Sequence, residues 1–297
     1  MLGIISIRMK RSIYLILFSL FFLASCKKEG ASKTESKSNE KQSTKAANVS
    51  ILNQKFAVVN LKGEAIARDV WLYLPPNYEK STEHYPVIYM HDGQNVFDAK
   101  TSYAGEWGVD EILNEVYAKT KRGFIVVGIN NVGSERMNEY SPWKHEKYGG
   151  GSGDTYIKMI IEELKPFIDK NYRTKPEAEF TGIIGSSMGG LISYYAGLEY
   201  PKVFRKLGVI SPSFWFSKEI LDFTKNKAAV SNTKMYLLLG DKEGMTKEFD
   251  EVSKLLVDSG FPIENIEKKL IPGGEHNEAF WNSQFLNVIR FLYDIEL

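Results

Sequence analysis

A single cysteine in 297 residues, Cys26, excludes an internal disulfide framework and any cysteine-built metal cluster. Histidine is nearly as scarce, at four (His84, His91, His145 and His276), and no His-Glu-x-x-His pair occurs, so the zinc-peptidase pattern is excluded as well. No EF-hand spacing is present. The glycine run Gly149-Gly150-Gly151-Ser152-Gly153 has no Gly-Lys-Ser/Thr after it and no strand before it, so it reads as a flexible helix entry capped near Asp154 and not as a phosphate cradle. No metal and no cofactor is expected. Neither sign of charge is in excess: 38 basic residues face 37 acidic ones for a net charge of +1, which offers no electrostatic footprint for nucleic acid. Long hydrophobic runs are also missing, and the one at Ile13 to Leu23 is too short to span a bilayer comfortably.

What remains is an ordinary globular composition, 43% hydrophobic and 25% charged. From about residue 49 to 297, strand-like and helix-like segments alternate without a second linker or a repeat. Arg68 to Leu74 and Ile51 to Asn60 read as a leading hairpin across Leu61-Lys62-Gly63-Glu64. Then come a strand at Val87 to Met90, a helix near Val109 to Ala118, a strand at Phe124 to Ile129, and a helix near Thr155 to Ile168. This alternation predicts one α/β domain with a mostly parallel central sheet covered by helices on both faces.

The most informative segment is Gly185-Ser186-Ser187-Met188-Gly189, a G-x-S-x-G pentapeptide between the strand-like run Phe180 to Ile184 and the helix-like run Leu191 to Ala196. A serine there sits on a tight strand-to-helix turn with its hydroxyl pushed out of the sheet. Three further strands are expected at Lys206 to Ile210, Lys234 to Leu239 and Ile266 to Ile271. The second runs into Gly240-Asp241-Lys242-Glu243-Gly244 and the third into Pro272-Gly273-Gly274-Glu275-His276-Asn277. A serine, a carboxylate and a histidine therefore follow one another at the carboxyl ends of strands, the order of a hydrolase triad. A serine hydroxyl is a poor nucleophile until an imidazole accepts its proton, and a carboxylate must fix that imidazole's tautomer. Both Asp241 and Glu243 qualify for the last role. The loop after Pro86 to Met90, His91-Asp92-Gly93-Gln94-Asn95, is placed to offer the Gln94 amide as an oxyanion donor beside that of Met188, with His91 and Asp92 structural. Arg136 and Glu139 read as a loop-stabilising ion pair, with substrate contact as the alternative. Of Trp107, Trp143, Trp215 and Trp281, Trp281 shares a helix face with Phe285 and reads as core, while Trp215 follows a strand end and is the candidate pocket wall.

Several separated motifs resemble one family. Tyr89-Met90-His91-Asp92-Gly93-Gln94-Asn95-Val96-Phe97-Asp98, Arg136-Met137-Asn138-Glu139-Tyr140, Glu163-Leu164-Lys165-Pro166, Gly185 to Gly190, Ser211-Pro212-Ser213-Phe214-Trp215 and Gly273-Gly274-Glu275-His276-Asn277 are together similar to the putative-esterase family of α/β-hydrolases, over about residues 50 to 297. That group includes enterochelin-type siderophore esterases, feruloyl and acetyl-xylan esterases, S-formylglutathione hydrolase and mycolyltransferases. The resemblance implies the α/β-hydrolase fold, Ser187 as nucleophile, His276 as base and, through a Gly-x-x-Glu pattern, Glu243 as acid. The implied reaction is hydrolysis of an extracytoplasmic carboxylic ester, an acylated carbohydrate or a siderophore-type ester. An acyltransferase with the same triad and a non-catalytic carbohydrate-binding domain are the rival readings.

The first residues resemble a bacterial lipoprotein signal: Arg8, Lys10 and Arg11, then the apolar run, then Leu23-Ala24-Ser25-Cys26, with Cys26 as the lipidated residue. Because residues 1 to 8 fit poorly before a basic segment, translation is expected to begin at Met9. Residues 27 to 48 carry six lysines and three glutamates and no large apolar side chain, which predicts a disordered tether with a span on the order of 25 Å. The expected location is the bacterial cell envelope, lipid-anchored at the periplasmic face or cell surface, most naturally on the outer membrane.

Overall fold

The computed structural model describes residues 41–297, apart from Ala104 and Asn232. In chain order its strands are β1 (Val49–Ile51), β2 (Phe56–Val59), β3 (Ala65–Arg68), β4 (Val70–Tyr73), β5 (Val87–His91), β6 (Ile125–Ile129), β7 (Lys144–His145), β8 (Gly149–Gly150), β9 (Thr181–Ser186), β10 (Lys206–Ile210), β11 (Lys234–Gly240) and β12 (Ile266–Ile271). Eight of them form one sheet in the order β1-β4-β6-β5-β9-β10-β11-β12. From β6 to β12 every pairing is parallel, while β1 with β4 and β4 with β6 are antiparallel.

The helices are α1 (Val109–Thr120), α2 (Arg136–Glu139), α3 (Gly153–Met159), α4 (Lys165–Asn171), α5 (Met188–Glu199), α6 (Glu219–Lys227), α7 (Thr246–Asp258) and α8 (Glu278–Tyr293). Alternate side chains of each inner strand feed opposite cores, as a period of two requires. Val87, Tyr89, Ile183 and Val209 pack with Ile157, Leu191 and Leu256 on one face, and Ile88, Met90, Ile184 and Ile210 pack with Leu113, Phe285 and Ile289 on the other. The sheet is thus sandwiched by α1 and α8 on one side and by α3, α5 and α7 on the other. At the β12 edge the pattern changes. Its residues are exposed or half-buried and include Lys268 and Lys269, charges that blunt an open edge.

Three details depart from the sequence reading. The leading hairpin is β2 with β3, closed by Asn60 accepting from the Lys62 and Glu64 amides, and it forms its own two-stranded ribbon. The chain then enters the central sheet as β4, because Val70–Tyr73 is buried at every position whereas Ala65 to Ala67 is exposed or half-buried. The helix expected near Thr155 to Ile168 carries a π-helical turn at Ile160–Leu164 just before Pro166, which has no N–H to continue the regular ladder. Its entry is Ser152, with no side-chain cap, and Asp154 instead accepts from Tyr195 and Tyr200.

The segment read as a tether is also different over its last residues. Lys41, Ser43, Thr44, Ala46 and Asn48 all hydrogen-bond to the domain, through Ser102, Asp98, Glu106, Asp110 and Leu74. The signal segment, Cys26 and the rest of the tether lie outside the described residues.

Candidate active site

Strand β9 ends at Ser186 and helix α5 begins at Met188, so Ser187 alone makes the turn. Its φ of 58° and ψ of −123° lie where a non-glycine residue is strained. The strain is held by three backbone bonds: the Ser187 amide donates to Ile210 O at 3.0 Å, and Ser187 O accepts from Leu191 and Ser213 at 3.1 Å each. Such a turn needs glycine at 185, where an added Cβ would stand 2.6 Å from Gly189 O and 2.8 Å from His91 Cδ2. The Ser187 hydroxyl has Ser213 Oγ as its neighbour, 3.4 Å away. Met188 opens α5, so its amide points from a helix N-terminus.

The loops after β11 and β12 touch. Lys242 N donates to Gly274 O at 3.0 Å, and Asp241 N to Ile271 O at 3.1 Å. This contact carries Glu243 to His276, whose Nδ1 lies 2.6 Å from Glu243 Oε2. Glu243's other oxygen accepts from Ser211 Oγ at 2.7 Å and from the Gly240 amide at 2.6 Å. The Glu243 side chain is 0% exposed and that of His276 is 37% exposed, so the acid is enclosed while the ring faces outward. A carboxylate can only accept, so Nδ1–H faces it, and in the neutral ring the lone pair falls on Nε2. Asp241 is elsewhere, accepting from the Gly273 amide at 2.8 Å and shaping the histidine's loop. Of the two acids left open by spacing, the geometry puts Glu243 on the imidazole.

Ser187 and His276 line the same cleft, of about 560 Å³. Gln94 lines it too, within the turn Gly93–Asn95 that follows β5. That turn lies flat on β6, and a Cβ at Gly93 would stand 2.5 Å from Gly128 C. The Gln94 side chain accepts from the Asn131 amide at 3.2 Å and its carbonyl from Thr101 Oγ1 at 2.8 Å, which fix the loop.

The aromatic walls fall differently from expectation. Trp215 is not among the residues lining the cleft. It is 42% exposed beside a separate groove and stands edge-on to His145 and Tyr148. Trp107, Trp281 and Tyr103 line the cleft instead. Trp281, read as core from its helical spacing, is buried and also stands perpendicular to His276, 5.2 Å between centroids, while its indole N–H donates to Ser211 Oγ at 2.9 Å. Trp143 packs on Tyr195 and Phe223. Ser211 was missed as a site residue. Its φ of 46° and its bonds to both Glu243 and Trp281 make it the link between the carboxylate and the ring's support. The available signal was its place right after β10 in Ser211-Pro212-Ser213.

Opposite, Arg136 and Glu139 do not pair with each other. Arg136 grips both oxygens of Asp92 at 2.8 Å, and Glu139 receives both ends of the buried Arg68 guanidinium at 2.6 and 2.8 Å. Burial alone would raise the Asp92 carboxyl, but the Arg136 guanidinium, together with the Asn131 side-chain amide, holds it below the usual range. His91 is buried with Nδ1 on the Tyr156 hydroxyl at 2.8 Å, and burial lowers it to about 3. Both residues therefore act as structure, as their place beside the strand suggested. Glu278 lines the cleft at the start of α8, and burial together with the nearby Asp92 raises its carboxyl.

Comparisons with known proteins agree with this architecture. The family described as "putative esterase" matches residues 66–292. YbbA of Bacillus subtilis strain 168, itself uncharacterised, is 27% identical over 238 residues, covering 75% of this chain and 91% of YbbA. The endo-1,4-β-xylanase/feruloyl esterase of Xylanibacter ruminicola is 28% identical over 221 residues, 71% of this chain but 27% of that protein. Among solved structures, the enterobactin esterase FES from Shigella flexneri, determined in the presence of enterobactin, superposes with a TM-score of 0.66 at 18% identity, covering 81% of this chain and 58% of FES. At that identity the superposition speaks to the fold.

Proposed function

The chain belongs to the putative-esterase family of ester hydrolases, and from that premise we propose that it is a serine carboxylic-ester hydrolase working through an acyl-enzyme. The observation that carries this reading is the 2.6 Å contact between His276 Nδ1 and a fully enclosed Glu243, in a cleft shared with a strained Ser187.

In the first half-reaction Ser187 Oγ attacks the ester carbonyl and its proton passes to His276 Nε2, while Glu243 stabilises the imidazolium through Nδ1–H. The oxyanion is received by the Met188 and Gln94 amides. Collapse breaks the C–O bond of the ester, and the leaving alcohol takes the proton from His276. In the second, a water gives its proton to His276 and attacks the acyl carbon. The tetrahedral species then releases the acid, and Ser187 recovers its proton.

The substrate class is an extracytoplasmic ester of a carbohydrate or a siderophore. The names of the xylanase/feruloyl esterase and the enterobactin esterase support it, as does a cleft walled by Tyr103, Trp107 and Trp281, which suits a flat acyl group or a ring. The protein is held at a bacterial membrane through a lipid on Cys26, a reading supported by Leu23-Ala24-Ser25-Cys26; incorporation of a palmitate analogue should disappear in Cys26→Ser.

A fluorophosphonate probe tests the covalent step. It should modify Ser187 alone and abolish hydrolysis of both an aryl acetate and a feruloylated sugar. Full activity in probe-treated, Ser187-unmodified protein would overturn the mechanism.

A further inference from the structure

An ester carbonyl carries two arms, and the cleft that holds Ser187 and His276 offers a wall of rings to one of them. Its residues include Asp92, Trp107 and Trp281, and the chain from Ser213 to Ser217 is not among them. That chain is nonetheless beside the nucleophile: Ser213 Oγ is 3.4 Å from Ser187 Oγ, and the Ser213 amide donates to Ser187 O at 3.1 Å. Between Ser211 and Ser217 every residue is buried except Trp215, which is 42% exposed. It follows Ser213 by two residues, so their Cα atoms are at most about 7 Å apart.

Although it reaches solvent, the Trp215 indole is held by three rings. Its centroid lies 6.4 Å from that of His145 at 77°, 5.9 Å from Tyr148 at 82° and 5.9 Å from Phe216 at 59°. His145 and Tyr148 belong to β7 and to the turn into β8, a ribbon pinned by Asn138 Oδ1 accepting from the Gly150 amide at 2.9 Å. An indole fixed in this way loses little freedom when another ring stacks on it.

Trp215 also walls a second groove, of about 380 Å³, a size within the range of small-molecule sites. The groove is framed by the segments that follow β10 and β11, the strands whose carboxyl ends lead into Ser211 and Glu243, so it belongs to the same end of the sheet as the reacting groups. Buried Phe214, Ile220 and Val252 line its depth. Lys218, Lys247, Glu248 and Glu251 stand around it, two bases and two acids whose charges cancel, and among the described residues none of the four is tied into an ion pair or a side-chain hydrogen bond. Such a groove does not select an ion. It suits a neutral ring with C–H groups on its face and hydroxyls on its edge, which describes a sugar. We propose that this groove is the alcohol-side subsite of the enzyme, where Trp215 stacks on a sugar ring of the chain that carries the ester. The substrate is then an acylated oligosaccharide, with its acyl arm against Trp107 and Trp281 and its sugar arm reaching past Ser213 to Trp215. The inference rests on the serine-esterase reading above and adds to it what the alcohol is.

The test uses the full chain and two esters of one acid, methyl ferulate and a feruloylated trisaccharide. The parent should show the higher kcat/KM on the trisaccharide ester. In Trp215→Ala the ratio of the two kcat/KM values should fall about fivefold to tenfold, mostly through KM, and Trp215→Phe should recover part of it because a smaller ring still stacks. Glu251→Gln, at an exposed position outside the ring contacts, should lower the same ratio about threefold. Binding is read separately: in Ser187→Ala protein the unesterified trisaccharide should change the tryptophan fluorescence, and adding Trp215→Ala should remove that change. Equal losses on both esters would make Trp215 a support of the Ser213 turn alone and overturn the proposal, as would a ratio that no variant moves. A dimer that Trp215→Ala dissociates, with no trisaccharide bound, would assign the groove to a second copy of the chain and overturn it too. If the parent cleaves neither ester, it is the esterase reading that fails; trisaccharide binding lost with Trp215 would still uphold the groove as a saccharide site, and no binding would overturn it.

Discussion

The two walls of the cleft are built by opposite rules. On the wall where Asp92 and Arg136 line the cleft, backed by the buried Tyr140 and Tyr156, the charges are spent on one another: Asp92 on Arg136, and behind them Glu139 on Arg68, all at hydrogen-bonding distance. On the wall where Ser187 and His276 line the cleft, backed by Ser211 and Glu243, two residues sit at positive φ, as Asp92 does opposite, and the imidazole is paired on one nitrogen only. In its ion pairs the first wall is satisfied, although Arg68 Nε and His91 Nε2 are buried without a partner, and what it does is hold shape. The second keeps the strained elbow of Ser187, which lies outside the left-handed region that Asp92 occupies, and an uncommitted nitrogen on an exposed ring, and those are what a reaction can use. Substitutions should therefore divide cleanly, costing turnover on one wall and stability on the other.

The largest effect expected is Ser187→Ala, which should lower kcat/KM for an aryl ester by about 10³ to 10⁶ with an unchanged melting curve, since the exchange keeps the Cβ and the elbow and removes only a hydroxyl that contributes little to packing. A variant that loses stability instead would put Ser187 with the satisfied wall. Next comes the acid. Glu243→Gln should cost turnover about 10² to 10⁴, because the amide can donate to the ring and favour the wrong tautomer, while Asp241→Asn should cost under about tenfold. Comparable small losses in both would mean that Ser187 and His276 work as a pair without an acid.

On the other wall, Glu139→Gln should remove about 3 to 5 kcal/mol of folding stability, measured by urea unfolding, because it strands the buried Arg68 guanidinium. Turnover of the folded fraction should change little. Replacing both partners with apolar residues of similar size should recover most of the loss, and failure to do so would show that Arg68 is held by more than its partner.

Much of the reactive wall was legible in sequence because it is written in local patterns. A strand, a glycine-flanked serine and a helix make the elbow, and β10, β11 and β12 fall where aliphatic runs placed them. Spacing could not choose between Asp241 and Glu243, since which one faces His276 depends on how two loops touch. The satisfied wall was read less well. Arg136 and Glu139 are one helical turn apart and looked like partners, but their actual partners, Asp92 and Arg68, are 44 and 71 residues away. Tryptophans were ranked by the element they sit on, which says nothing of cleft lining, so Trp215 was preferred to Trp107 and Trp281. The hairpin boundaries slipped because an alternating run, Arg68 to Leu74, covers a strand buried on both faces.

The smallest effect tests whether the satisfied wall is also closed to protons. His91 is buried, its Nδ1 rests on the Tyr156 hydroxyl, and burial lowers it to about 3, with Asp92 pulling upward and Arg136 downward. In the unfolded chain the same ring titrates near 6.5, so between these values the unfolded state takes up a proton that the folded state refuses. Stability is then complete above the unfolded value and drains away as pH falls toward the folded one. From pH 7 to pH 5 the loss attributable to this ring is about 2 kcal/mol. Comparing urea unfolding of the parent and of His91→Gln at both pH values isolates it, because Glu278, whose raised carboxyl works in the opposite direction, contributes to both proteins alike. The parent should lose about 2 kcal/mol more than the variant over that interval. Parallel losses would mean that His91 accepts a proton in the folded state, and the contrast between a closed wall and a reactive one would not hold.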